Sequence, residues 1–197
     1  MEILGCNNYQ SAIPALDQGK IVIYPTETVY GLGCRLIESS VKRIFEIKKR
    51  EQKPMSIALS SVAQIPLYAE PRYPQLLKEL LPGPFTVILP KLSSVPDFVT
   101  IGLTTVGIRV PDHPVAIALA EGGPIITTSA NLSGEPPAYG FKQIKIQADI
   151  GIDCGPSKFK EPSTIIDLSG DKPSILRRGA QWNLAEKKLK NLEKREK

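Results

Sequence analysis

The chain has 197 residues, 42% hydrophobic and 23% charged, which is enough for one sizeable core and too short to require two. Its formal charge of +5 favours polyanionic partners, a nucleotide or RNA, although part of the excess sits in the basic stretch LAEKKLKNLEKREK from Leu184 to Lys197. Three cysteines, in no CxxC pair, indicate neither a disulfide framework nor a zinc site and fit a reducing cytosol; the start MEILGCNNYQ has no signal-like pattern, and no apolar run approaches the ~18 residues of a membrane span. The chain therefore reads as a soluble, cytoplasmic domain over residues 1–183 with a basic tail over 184–197.

In chain order, Tyr9 to Gln18 has a helical pattern, and Ile21 to Tyr24 (IVIY) is a short β-branched run stopped by Pro25, a strand opening into a polar loop. From Val41 to Lys49, apolar residues recur at helical spacing, so Lys48, Lys49 and Arg50 fall at a helix C-terminus, where cations favour the macrodipole. Short apolar runs predict strands at Met55 to Leu59, Phe85 to Leu89, Val106 to Val110, Ile125 to Thr127, Ile150 to Asp153, Thr164 to Leu168 and Ile175 to Leu176. Helices are predicted at Tyr73 to Leu81, Val115 to Glu121 and Lys142 to Ala148. Strands and helices alternate without a regular βαβ beat, which implies a mixed α/β sheet. The stiff loops LPGP, VPDHP and GEPPAYG suit a preformed site.

Polar motifs stand where these apolar runs stop. In YPTETVYGLG, Thr26 and Thr28 alternate about Glu27 and so point to one side on extended backbone. Lys48, Arg50 and Lys53 form a basic cluster able to clamp a triphosphate or simply to face water. Arg109 is embedded in the otherwise apolar TVGIRV and must be paired, with Asp112 a candidate, or face a ligand. TTSANLSG leaves Ser129 and Asn131 alternating at a strand end, where hydroxyls and amides make an oxyanion nest or an ordinary turn. Ser163 precedes another strand, and Arg177 stands beside Gly179, where backbone can approach closely. The single histidine, His113, lies between prolines and suits a turn better than a hydrolytic triad. Neither GxxxxGK[ST], GxGxxG nor GxSxG occurs, so a nucleotide would bind by another arrangement and acyl hydrolysis falls away.

Taken in order, YPTETVYGLG, KKRxxKP, LLPGPFTVIL, TVGIRVPDHP, TTSANLSG and STIIDL followed by ILRRG resemble the YrdC-like family, the threonylcarbamoyl-adenylate synthases, over about residues 10 to 180. The resemblance implies a twisted mixed β-sheet flanked by helices with a concave electropositive cleft. It also implies a nucleotidyltransferase that condenses L-threonine, bicarbonate and ATP into threonylcarbamoyl-AMP and pyrophosphate. That product serves N6-threonylcarbamoyladenosine (t6A) modification of tRNA and is passed to a downstream threonylcarbamoyl-transfer complex.

By motif, Thr28, Arg109, Thr127 and Ser163 resemble threonine contacts. Lys48, Arg50, Lys53, Thr105, Ser129, Asn131 and Arg177 resemble nucleotide contacts, with Lys48 and Arg50 the catalytic candidates and Lys53 able to serve either substrate. Mg2+ would come with ATP, and no protein metal site is expected. The chain departs from many relatives at Ala58, where a histidine is common, and at Pro137, where Ser or Thr is common. It resembles the short form without an appended domain. A non-catalytic double-stranded RNA or tRNA module using the same basic cleft is the alternative, poorly supplied with aromatics at 6%. A domain that makes an adenylate from carbamoyl phosphate is more distant still.

Overall fold

The structure, a computed structural model, describes residues 1–49 and 53–195. Its strands are β1 (Glu2–Gly5), β2 (Val22–Tyr24), β3 (Gly31–Cys34), β4 (Ser56–Ala58), β5 (Phe85–Pro90), β6 (Thr105–Arg109), β7 (Ile125–Ser129), β8 (Ile150–Asp153), β9 (Thr164–Asp167) and β10 (Ser174–Arg177). Its helices are α1 (Ala12–Asp17), α2 (Glu38–Lys48), α3 (Pro74–Leu80), α4 (Asp97–Thr100), α5 (Pro114–Glu121) and α6 (Trp182–Arg195). Among the described residues the strands form one twisted sheet in the order β1-β8-β2-β3-β7-β4-β6-β5-β9-β10. It is mixed: β4 runs parallel to β6 and antiparallel to β7, and β5 runs antiparallel to β6 and parallel to β9.

Strand side chains alternate between faces, and the register sorts them cleanly. One face carries Ile23, Leu32, Ile57, Val87, Ile108, Ile126 and Ile166, all fully buried in the larger core cluster beneath α2, α3 and α6. The other face divides in two. Toward β8 and β2 it carries Val22, Ile125, Ile150 and Ile152, packed with Ala12, Leu16, Val115, Ala116 and Leu119 of α1 and α5 in a second cluster. Toward β6, β5 and β9 no such helix covers it, and the same parity holds Ser56, Thr86, Gly107, Arg109, Thr127, Ser129 and Ile165.

Several expectations need correction. Cys6 and Cys154 are joined in a disulfide, tying the 3-10 turn Cys6–Ser11 to the chain leaving β8, and only Cys34 is left as a free thiol. Spacing in sequence could not show this, because the parallel pairing of β1 with β8 brings together residues 148 apart. The predicted helix over Lys142 to Ala148 is only the 3-10 turn Phe141–Gln143. Its Ile144 and Ile146 alternate with period two, and the Gln143 side chain accepts from the N–H groups of Tyr139 and Gly140, closing a turn instead. Strands β1 and β3 were not predicted, since GLGC has no β-branched residue. The tail from Leu184 is not separate in structure: it continues α6, in which Ala185 and Leu189 are buried and Lys188 bonds Glu79 of α3 at 2.8 Å. Among the described residues no helix is long and apolar enough to cross a membrane.

Candidate functional site

The uncovered part of the sheet face is the floor of a cleft of about 440 Å³. Strand ends and loops complete its wall with Thr26, Tyr30, Met55, Asn131, Pro137 and Arg177. Glycine makes the room. A Cβ on Gly33 would lie 2.5 Å from Ile125 Cγ2, and one on Gly31 would lie 2.9 Å from the Tyr24 ring. Tyr24 fills that space, and its hydroxyl meets Thr127 Oγ1 at 2.7 Å. Burial pushes the Tyr24 phenol up, so it serves as a neutral hydrogen-bonding group.

Arg109 ends β6 on this face. Its Nη2 donates to Glu27 Oε1 and Thr28 Oγ1, each at 3.0 Å, so the predicted partner Asp112 is replaced by Glu27. Glu27 is almost wholly enclosed; burial pushes its carboxyl above the ordinary value, against the pull of Arg109. Thr26 and Thr28 do point the same way, their hydroxyls 2.9 Å apart, but Thr26 is also bonded to the Val29 carbonyl, and the segment bends back as a turn rather than continuing a strand.

Arg177 reaches the cleft from β10. Its Nε and Nη2 donate to the Ser163 carbonyl at 3.2 and 2.8 Å, and Nη2 also to Ser163 Oγ at 3.2 Å. Ser163 Oγ is shared with Thr86 Oγ1 at 2.8 Å. This crossing depends on Gly179, where a Cβ would lie 2.2 Å from the Pro162 carbonyl oxygen. Burial, then the neighbouring charge of Arg109, lower the Arg177 pKa, so the two guanidinium groups are close enough to repel.

Past β7, Asn131 Nδ2 donates to the carbonyls of Leu132 and Glu135 at 2.9 and 2.6 Å, whereas its Oδ1 is buried with no partner among the described residues. Lys48, the last residue of α2, is buried, and its ammonium donates to the carbonyls of Ser129 (2.5 Å) and Asn131 (2.6 Å). It therefore grips the backbone of the SAN turn and is not part of the cleft lining.

The cleft thus gathers Arg109, Thr127, Ser129, Asn131, Ser163 and Arg177, with Thr28 one bond behind Arg109. Thr105 shares the face but stands four residues down β6 from Arg109, roughly 13 Å along a strand, outside the lining. Lys53 is exposed and also outside it. Arg50 lies outside the described residues. Thr86, Ser56 and Tyr24 were missed as site residues; a signal existed for Thr86, the one polar residue of opposite parity to Phe85, Val87 and Leu89 in FTVIL. His113 caps α5, its Nδ1 accepting from the Val115 N–H at 3.3 Å, and Ala58 is buried beside Arg109 on β4.

A mixed α/β sheet whose face opens into a cleft lined by arginines and hydroxyls is an arrangement with which an α/β protein can hold an anion. The sequence matches the Sua5/YciO/YrdC family, described as telomere recombination, over residues 14–179, and the chain belongs to that family. It is 40% identical over 173 residues to a threonylcarbamoyl-AMP synthase of Pyrococcus abyssi, covering 82% of this chain and 51% of that one. A putative threonylcarbamoyl-AMP synthase of Methanocaldococcus jannaschii is 37% identical over 169 residues, covering 82% of this chain and 80% of that one. The structure of P. abyssi Sua5 complexed with L-threonine is similar at a TM-score of 0.88 and 36% identity, covering 95% of this chain and 61% of that one. The chain spans about half the length of the Pyrococcus synthase it matches.

Proposed function

We propose that the protein is a nucleotidyltransferase that makes threonylcarbamoyl-AMP from L-threonine, bicarbonate and ATP. The observation that carries this reading is the pair Arg109 and Arg177, two mutually repelling cations on one cleft, of which only Arg109 is paired to a carboxylate among the described residues. Two cations held together against their repulsion suit two anionic substrates that must react with each other, and the cleft is on this reading electropositive. In the family whose sequence it shares, a solved member holds L-threonine.

On this reading Arg109, backed by Thr28, takes the threonine carboxylate, with Thr127 and Ser163 beside it. Arg177, Ser129 and Asn131 face the nucleotide, and Lys48 keeps the SAN turn in place from behind. The neutral amine attacks CO2 supplied by bicarbonate, losing a proton and forming a carbamate. A carbamate oxygen then displaces pyrophosphate from the α-phosphorus of ATP. No covalent enzyme intermediate is required, so the protein's work is positioning and charge neutralisation. The carboxylate in the lining, Glu135, is paired with Lys145 at 3.2 Å, and no cluster of metal-binding side chains occurs among the described residues; Mg2+ fits as the counter-ion that ATP brings. The labile product calls for a transferase acting on tRNA.

The test is pyrophosphate release from ATP and bicarbonate with L-threonine, against reactions lacking threonine or containing L-serine. Threonine-dependent release is expected. Release independent of threonine, or none from folded protein, overturns the reading.

A further inference from the structure

Glu27 lies behind the arginine it holds. It does not line the cleft; it lines a second cavity of about 250 Å³ together with Asp112, His113, Ser157 and Lys158. Arg109 lines the cleft and not that cavity, so the ion pair links the two linings, with Thr26 common to both. Stability alone is a poor reason for such a pair, since well-packed apolar residues commonly replace a buried ion pair at no loss. The geometry is also one-sided: the bonds from Arg109 to Glu27 and to Thr28 both leave from Nη2, while its Nε and Glu27 Oε2 are buried without partners among the described residues. The two bonds at Nη2 set the plane of the guanidinium from behind, while the side chain itself lines the cleft.

The second arginine is built differently. Arg177 is anchored on the Ser163 carbonyl and hydroxyl, both neutral, and meets no carboxylate among the described residues. Attraction to Arg109 and repulsion from Glu27 both scale with the charge of the incoming anion, so a polyphosphate loses more than a singly charged carboxylate does by taking the Arg109 side instead of the Arg177 side.

We propose that Glu27 is a positioning residue that fixes the fork of Arg109 and, by half-neutralising it, sorts the two anions, reserving Arg109 for the amino-acid carboxylate and leaving the polyphosphate to Arg177. This assignment rests on the reading of the cleft as a threonine and ATP site.

Steady-state kinetics of threonine-dependent pyrophosphate release test it on the full chain. Glu27→Ala should raise the threonine KM at least about tenfold while the ATP KM stays within about threefold. Equal rises in both, or no rise for threonine, overturn the proposal. Should Glu27→Ala fail to fold, Glu27→Gln decides. Its amide oxygen still accepts from Nη2 but carries no charge, so ATP should become a competitive inhibitor against threonine. An inhibition pattern identical to that of the wild type overturns the sorting role. If wild-type protein shows no threonine-dependent release, the functional reading itself has failed. The positioning of Arg109 is then judged by ¹⁵N NMR of the arginine side chains, with Arg109→Lys for assignment. A dispersed Arg109 Nε–H signal that collapses in Glu27→Ala supports positioning, and one indifferent to the substitution overturns it.

Discussion

The two halves of one sheet face make the instructive comparison. Where α1 and α5 lie over it, the inward positions are Val22, Ile125, Ile150 and Ile152; where nothing covers it, positions of the same parity are Ser56, Gly107, Arg109 and Thr127. The strands are continuous in hydrogen bonding across this change, and β7 itself passes from Ile125 under the helices to Ser129 in the cleft. The covered half therefore contributes stability through burial, and the open half presents arginine and hydroxyl groups to the cleft.

The comparison breaks most visibly at Leu119, fully buried on α5. Leu119→Ala should cost about 2–5 kcal/mol of stability in urea unfolding. Substrate KM values measured where the variant is still folded should not move. Arg177→Ala should do the reverse, losing about 2–4 kcal/mol of transition-state stabilisation in kcat/KM, with a change in unfolding free energy within about 0.5 kcal/mol. Gly33→Ala probes the boundary, because its Cβ would press on Ile125 and Tyr24 together. A loss of about 1–3 kcal/mol by denaturation is expected there, with activity falling as well. Tyr24→Phe sharpens the comparison, since only the bond to Thr127 is lost; about 1 kcal/mol of stability should go, with a measurable rise in threonine KM.

At the margin of the covered half, one residue before Ile150, Asp149 supplies the smallest effect. Burial pushes its carboxyl up, but bonds from Arg43 at 2.9 Å and the Ile21 N–H at 2.7 Å leave it net below its ordinary value. A depressed carboxylate stabilises the fold above its unfolded value, and that contribution is lost as pH falls through the folded one. Asp149→Asn should therefore lag the wild type by under about 1 kcal/mol at neutral pH, and the gap should close in acid when thermal unfolding is followed across pH.

Much of this architecture was legible in the chain. The runs at Phe85, Val106, Ile125, Ile150 and Thr164 became strands because β-branched residues bounded by Pro and Gly have few other options. Strand β3 escaped notice because GLGC is selected by the need for space over the Tyr24 ring, a requirement belonging to the neighbouring strand. In the site, a charged residue inside an apolar strand was a readable signal for Arg109. The partner of Arg109 was not readable: Asp112 is near in sequence, yet Glu27, 82 residues away, is the group that meets it. The surroundings of Lys48 were equally unreadable, since position at a helix end cannot tell whether an ammonium faces solvent or the carbonyls of Ser129 and Asn131.

By itself the sequence determined the periodicities, the turn residues, the ordered motifs and hence the family, because these depend on residue types at short spacing. Only the tertiary structure decided which half of a sheet face is left open, that Cys6 meets Cys154, and that Glu27 stands behind Arg109. Those facts arise from contacts between segments distant along the chain, and the energies that select them belong to pairs of side chains that no local pattern brings together.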